Sequence, residues 1–165
     1  MRLIVLKAVF FLSLSSLYGF TVSEVEADKL NRSGLAELSG GNPGKASGFF
    51  IRALQRDPAQ KHYYNNLAVS LMKMGNYTDA EKYLLKGLSL DRNYTRALAN
   101  MAVVLFYQRR FYESYIYYLR SKKSDPVYAD NRFKRERVLR KLKDIYSRNP
   151  DDDEVKEIII YLEKN

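Results

Sequence analysis

The residues that most often carry out catalysis are scarce in this chain. Its 165 residues include one histidine, His62, and no cysteine, which excludes disulfides, zinc-thiolate sites and cysteine nucleophiles. No serine lies in a nucleophile-elbow context, and no glycine-rich loop has the spacing that cradles phosphate. Three acids, Asp151 to Asp153, are adjacent in the sequence, whereas the acidic ligands of a calcium-binding loop stand at alternate positions. They are better explained as acids at the start of a helix. We therefore predict a protein that is not an enzyme and uses no metal or cofactor.

A basic stretch near the C-terminus is a second group of side chains that can act on a ligand. Residues 132–143 read RFKRERVLRKLK, in a chain of formal charge +9. Three interpretations are open: a solvated face of a terminal helix, a surface for an acidic partner or an anionic membrane, and a nucleic-acid site. Nucleic acid is the least favoured, because only Phe133 and Tyr146 lie near enough to stack on bases. The basic residues are Arg132, Lys134, Arg135, Arg137, Arg140, Lys141 and Lys143.

An internal repeat of 34 residues provides the elements that position these side chains. In residues 61–94 the apolar positions return at helical spacing, stop at Gly75 and Asn76, and resume at Tyr77. This pattern predicts a helix, a tight turn and a second helix. A shift of 34 residues in either direction superposes this stretch on its neighbours without a gap. The matching columns include Leu30, Tyr64 and Leu98; Gly34, Ala68 and Ala102; and Phe50, Leu84 and Tyr118.

This period of paired helices, with a bulky-x2-Leu-small-x2-bulky opening and a later Ala-x3-bulky step, resembles the tetratricopeptide repeat. The residues that carry the resemblance in the middle unit are Tyr64, Leu67, Ala68, Leu71, Gly75, Tyr77, Ala80 and Leu84. The resemblance implies an all-α solenoid of three helix-turn-helix repeats, at residues 27–60, 61–94 and 95–128. Two residues depart from the pattern of the first unit, Ser33 and Glu37, and Arg109 replaces the turn glycine of the third.

The resemblance also implies a concave face built mainly from the first helix of each unit, and hence a protein or peptide partner. Asn66 and Asn100 lie 34 residues apart, and a ladder of amides can both donate to and accept from an extended peptide backbone. The alternative is that these amides bond to the adjacent helix, and Arg32 interrupts the ladder in the first unit. A chaperone-type clamp for a terminal carboxylate is not expected, because Asn31, Leu35 and Asn100 stand where other clamp residues would be. The expected groove residues are His62, Asn65, Asn66, Val69, Met72, Lys73, Arg96, Asn100, Val103, Phe106 and Tyr107.

Residues 1–23 are typical of a secretory signal. Arg2 and Lys7 precede an apolar core, and no acidic residue occurs before Glu24. Cleavage is expected after Gly19 or Ser23. An uncleaved anchor is the alternative, although the core is short for a membrane span of about 20 residues. In either case we expect the repeats to lie outside the cytoplasm, in the periplasm or in the medium.

After the third unit the period fails, and residues 129–165 are expected to close the solenoid. The last helix of a solenoid needs a polar outer face, so we predict a basic capping helix over residues 130–147. A final helix is predicted after Pro150, with an apolar stripe that covers either the solenoid or a partner. That stripe is Val155, Ile158, Ile159 and Leu162.

These features predict a non-enzymatic, extracytoplasmic adaptor or scaffold that holds a peptide or protein segment in a concave groove. The alternative is a membrane-surface or polyanion-binding protein that acts through residues 132–143.

Overall fold

The computed structural model describes residues 21–164, which form helices joined by short turns and contain no strand. The helices are α1 (Val22–Ser39), α2 (Pro43–Arg56), α3 (Lys61–Lys73), α4 (Tyr77–Leu90), α5 (Thr95–Tyr107), α6 (Phe111–Ser124), α7 (Pro126–Phe133), α8 (Arg135–Arg148) and α9 (Asp153–Lys164). The predicted all-α solenoid is confirmed. The predicted secretory signal lies outside the described residues except for its last three. Within the described range, no helix has both the length and the apolar character needed to cross a membrane.

The turn inside each helix pair places one residue in the left-handed backbone region. Gly41 has φ 80°, Gly75 has φ 77° and Arg109 has φ 64°. After each of these residues, the next backbone N–H bonds to the carbonyl five residues earlier, as in Asn76 to Leu71 at 2.9 Å. Glycine adopts this conformation freely, whereas arginine meets a steric cost. The geometry of the turn is therefore kept at Arg109 even though the preferred residue is absent.

Small residues let the two helices of the first pair approach closely. A β-carbon placed on Gly34 would lie 2.6 Å from the Phe50 ring, which packs directly over that position. The equivalent residues in the next units are Ala68 and Ala102, both fully buried. In the third pair, Ser114 of α6 donates its hydroxyl to the carbonyl of Ala102 at 2.6 Å. The repeated small column thus sets the spacing on which the concave face depends.

The repeat ends because α7 begins earlier than its counterparts. Asp57 and Asp91 each follow a second helix and accept a hydrogen bond from the backbone N–H two residues later. Asp125 instead caps a new helix, which begins at once with Pro126, and accepts from the backbone N–H of Tyr128. Proline suits this first helical position, where its missing N–H leaves no bond unmade. Helix α7 packs against α5 and α6 as a short first helix of an incomplete fourth unit.

The predicted single capping helix over residues 130–147 is wrong. The backbone turns at Lys134, which has φ 52°, and this residue separates α7 from α8. Phe133, the last residue of α7, is buried and stacks on the Tyr118 ring with centroids 4.6 Å apart. Because Phe133 is held against the third unit, α8 changes direction and contacts α7 and α9.

Helix α9 covers the solenoid, which settles one of the alternatives left open by the sequence. Its apolar stripe is buried against α6 and α8. Polar contacts hold both of its ends: a Glu154 carboxylate oxygen accepts from the backbone N–H of Tyr112, 2.9 Å away, and Arg135 donates Nε to the carbonyl of Leu162 at 2.8 Å. The α8–α9 hairpin is thereby fixed to the third repeat.

Candidate functional site

A pocket of 170 Å³ lies where the end of α5 meets α7 and α8. We call it the terminal pocket. It combines residues from both surfaces that the sequence had presented as alternatives, the groove and the basic segment. Its lining is Val103, Phe106, Tyr107, Arg132, Phe133, Lys134, Arg137, Val138 and Lys141.

Apolar side chains form the inner part of the terminal pocket. Phe106, Phe133 and Val138 belong to one buried cluster, against which the half-buried Val103 packs. The rings of Phe106 and Phe133 meet edge to face with their centroids 6.3 Å apart. Phe133 is in turn held by its stack on Tyr118. These ring contacts hold the apolar lining of the pocket in a fixed position.

Tyr107 forms part of the pocket's edge and is held on both faces. One face stacks on Tyr77 with a centroid distance of 4.7 Å and an interplanar angle of 5°. The Lys141 ammonium lies 4.9 Å from the ring centroid, a cation–π contact that links α8 to α5. Burial, and to a smaller extent the neighbouring Tyr107, raises the pKa of Tyr77. That phenol therefore stays neutral at physiological pH, and the positive charges of the edge are not offset by it.

Arg132 points from α7 back to the repeats. Its Nε donates to the side-chain oxygen of Asn100, and its Nη2 lies 4.0 Å from the sulfur of Met72. Asn100 donates its own amide to the side-chain oxygen of Asn65 at 2.7 Å. Because the Asn100 nitrogen faces Asn65, its oxygen is directed at Arg132, which fixes the position of the guanidinium group.

The positive charges around the terminal pocket lack acidic partners. Among residues 21–164, no ion pair includes Arg132, Lys134, Arg137 or Lys141. The lining of the pocket contains no aspartate or glutamate. Two of the other predicted basic residues differ: Arg135 bonds to the Leu162 carbonyl and Lys143 pairs with Glu163. Arg140 lies exposed on α8, outside the pocket lining. The basic segment is therefore divided: some of its side chains make contacts within the fold, and others carry unpaired charges beside the terminal pocket.

The amide ladder differs from the expected one. Asn66 donates to the side-chain oxygen of Asn31 at 2.9 Å, just as Asn100 donates to Asn65. Asn65 is 4% exposed and Asn100 1% exposed. The predicted ladder joins Asn66 and Asn100, and for Asn100 the structure shows the alternative, an amide bonded to the adjacent first helix. The predicted groove residue Asn65 is its partner and is buried as well, so neither Asn65 nor Asn100 lies on the open face. Asn66 is half-buried and remains at the surface.

The remaining predicted groove residues are spread along the inner face, the concave surface formed by the first helices of the repeats. Met72 is buried, His62 and Val69 are half-buried, and Lys73 and Arg96 are exposed. A role for them in ligand binding stays a prediction.

His62 lies at the far end of the inner face, in a concavity of 430 Å³ that also contains Asp28 and Tyr63. Burial lowers the pKa of His62 and outweighs the opposing effect of Asp28 and Asp57. Asp28 pairs with Arg32 at 3.1 Å, whereas Asp57 accepts from the neutral amide of Gln60 at 2.9 Å and keeps its charge. Because Arg32 lines this concavity beside the acids, charges of both signs are present here, whereas the lining of the terminal pocket has charges of one sign only.

Sequence reasoning missed three residues of the site. Phe133 and Val138 line the terminal pocket, and Tyr77 supports Tyr107. Val138 lies four residues before Leu142, and this helical spacing of apolar residues could have indicated that the Val138 side chain is buried. The position of Phe133 depends on the turn at Lys134, which no glycine or asparagine marks.

Comparison with known proteins agrees with this geometry. Residues 63–94 match the family model described as tetratricopeptide repeat. The chain is 35% identical over 86 residues to the photosystem I assembly protein Ycf3 of Acaryochloris marina strain MBIC 11017, an alignment that covers 50% of this chain and 52% of the relative. The chain thus spans about half the length of this curated relative.

Solved structures share the fold. The first TPR of Spaghetti (RPAP3) bound to the HSP90 peptide SRMEEVD has a TM-score of 0.66 and 20% identity, covering 73% of this chain and 98% of that one. The Sgt2 TPR domain from Aspergillus fumigatus has a TM-score of 0.66 and 22% identity, covering 74% of this chain and 82% of that one.

The helix pairs, the inner face and the closing hairpin define an α-solenoid protein. More specifically, residues 63–94 match the tetratricopeptide repeat, and the fold is shared with solved tetratricopeptide-repeat domains. The resemblance expected from the sequence is confirmed for residues 63–94 and for the fold. The secretory signal remains a prediction.

Proposed function

We propose that this protein is a non-catalytic adaptor that binds a segment of a partner protein along its inner face, with the terminal pocket as the main contact. The observation that carries the proposal is the terminal pocket itself. There, largely buried apolar side chains line a space between helices, and the cations beside them have no acidic partner among the described residues. Concave apolar sites with a few directed polar groups are the usual form of a binding site.

Comparison with a solved structure of the same fold also supports a bound segment. The related repeat domain of RPAP3 was solved with a bound peptide. That likeness concerns the fold, and a bound segment is proposed for this chain because the terminal pocket offers a place for it.

The extracytoplasmic setting is part of the proposal and rests on residues 1–23 alone. Their charge and apolar pattern is that of a secretory signal. Cell fractionation, followed by N-terminal sequencing of the mature protein, tests it. Recovery of the protein from the cytoplasm with its first residues intact would reject this setting.

Site-specific photocrosslinking in living cells tests the proposed adaptor role. A photoreactive phenylalanine analogue replaces Tyr107 at the pocket in one strain and Tyr112 on α6 in another. Both side chains are exposed, at 47% and 58%, so the two probes differ mainly in where they lie. We expect a discrete crosslinked partner from position 107 and none from position 112. Equal labelling from both positions, or labelling from neither, would reject the proposal.

A further inference from the structure

We infer that the terminal pocket selects an acidic segment with one apolar anchor residue, and that Arg132 is the residue that recognises the carboxylate. The inference rests on the proposed function and names the chemistry of the ligand. Three observations support it: the size of the pocket, the sign of its charge and the fixed position of the Arg132 side chain.

The pocket has room for one side chain. Its 170 Å³ is close to the volume of about 150 Å³ that accepts benzene in an engineered protein cavity. The walls facing that space include Val103, Phe106 and Val138. A phenylalanine or leucine side chain of a bound segment fits this volume, and the apolar walls favour its burial.

The positive charge around the pocket favours a bound segment that has acidic residues on either side of its anchor residue. Arg132, Lys134, Arg137 and Lys141 line it without a single acidic residue. Like charges brought together repel, so a basic segment would be rejected, whereas carboxylates on either side of the anchor would be attracted. Charge complementarity therefore specifies the occupant as an acidic segment.

The contacts of Arg132 leave its charge available. Its Nε bonds to the neutral oxygen of Asn100, which holds the guanidinium in place without cancelling its charge. Had an aspartate stood at position 100, the arginine would be paired and no longer free for a ligand. Nη2 approaches the Met72 sulfur, and Nη1 makes no hydrogen bond among the described residues. A guanidinium held in one orientation is suited to bind a carboxylate. Asn100 thus acts as a positioning residue for Arg132.

Fluorescence anisotropy with the purified full chain tests the inference. The probe is a fluorescein-labelled peptide, GSDEFEDSG. One matched peptide replaces its phenylalanine by glycine, and another replaces its acids by the corresponding amides. We expect the probe to bind about tenfold more tightly than either matched peptide, since each lacks one of the two recognised features. Equal binding of the probe and the amide peptide would overturn the inference.

Variants assign the effect to Arg132. Arg132→Gln is expected to weaken probe binding about tenfold, the usual scale for a charge-assisted hydrogen bond, and to leave the weak binding of the amide peptide unchanged. Asn100→Asp is expected to weaken it similarly by pairing with Arg132. Lys45→Gln, which removes one exposed charge on α2, is the control and should bind as the parent does. If Lys45→Gln lowers the affinity for the probe as much as Arg132→Gln does, the effect depends only on the net charge of the protein, and the inference is overturned.

A second set of variants covers the case in which Arg132→Gln fails to fold. Arg137→Gln and Lys141→Gln change exposed side chains of α8, and the double variant is expected to weaken probe binding about tenfold. Unchanged binding would contradict the inference. Binding of phosphatidylglycerol vesicles in place of the probe would also overturn it, by making the surface a lipid site.

The two proposals fail in different ways. A partner crosslinked from position 107 whose contact segment lacks acidic residues would leave the adaptor role standing and reject the acidic specificity. If no partner crosslinks there, the adaptor role itself is rejected.

Discussion

Arg132 of α7 donates a hydrogen bond to Asn100 of α5, and Asn100 donates to Asn65 of α3. These side-chain hydrogen bonds thus link α3, α5 and α7, the first helices of the second, third and incomplete fourth units. This network begins in the buried interior of the second repeat and ends at the terminal pocket. The same side chains that join the repeats therefore also position a guanidinium at the pocket.

Loss of the Asn100 amide is expected to reduce stability. In Asn100→Ala, the buried oxygen of Asn65 loses its donor and Arg132 loses its acceptor, so we expect the free energy of unfolding to fall by about 2 to 3 kcal/mol. Urea denaturation followed by circular dichroism measures this. Asn66→Ala, at a half-buried amide with a single partner, is the matched control and should lose about 1 kcal/mol. Equal losses in the two variants would show that burial of the network contributes nothing.

Arg109 occupies a turn position that suits glycine. Arg109→Gly removes the steric cost of φ 64° and adds chain entropy in the unfolded state, for an expected net gain of about 0.5 to 1 kcal/mol. The reverse change at the equivalent turn, Gly75→Ala, should destabilise by about 1 kcal/mol. Thermal and urea unfolding of both variants check the pair. A destabilised Arg109→Gly would mean that the arginine side chain has a role beyond the turn.

The contacts at the start of α1 link the stability of the fold to the site at which the proposed signal would be cleaved. Thr21 and Glu24 form a capping box, and Ser23 donates its hydroxyl to the Arg56 carbonyl at 2.7 Å. Cleavage after Gly19 keeps these contacts, whereas cleavage after Ser23 removes both Thr21 and Ser23. A chain that begins at residue 20 is expected to be about 1 to 2 kcal/mol more stable than one that begins at residue 24. Equal unfolding midpoints for the two chains would contradict this.

Tyr63 is expected to make the fold sensitive to high pH. Burial, aided by Asp28 and Asp57, raises the pKa of Tyr63 to about 12, from an ordinary value of 10.0. The folded state therefore holds this proton more tightly than the unfolded state, so the stabilisation is complete below pH 10 and declines as the pH rises towards 12. Tyr63→Phe should show a shallower loss of stability across that interval. The control is Tyr112→Phe, at an exposed ring. A parent-like slope for Tyr63→Phe would reject the assignment.

The repeat part of the fold could be predicted because its signals are local. Helical spacing of apolar residues identified the pairs, and the column of Gly34, Ala68 and Ala102 marked where two helices approach closely. These features depend on residues within about one repeat of each other. The same reasoning gave the buried stripe of α9.

The terminal pocket could not be predicted because it depends on the direction taken by α8. Lys134 adopts a left-handed backbone without the glycine that usually indicates one. A continuous helix through Lys134 would have kept the groove and the basic face separate. The burial of Asn100 was hidden for a related reason, because its partners Asn65 and Arg132 lie on two other helices.

Methyl NMR of the full chain, titrated with the GSDEFEDSG peptide, tests the terminal pocket as a binding site most directly. Val103 and Val138 line the pocket, whereas Ile51 and Leu85 are exposed side chains of the second helices α2 and α4. We expect the methyl resonances of Val103 and Val138 to shift with a common saturation curve while those of Ile51 and Leu85 stay unchanged. Shifts confined to Ile51 and Leu85, or equal shifts at all four residues, would contradict binding in the terminal pocket.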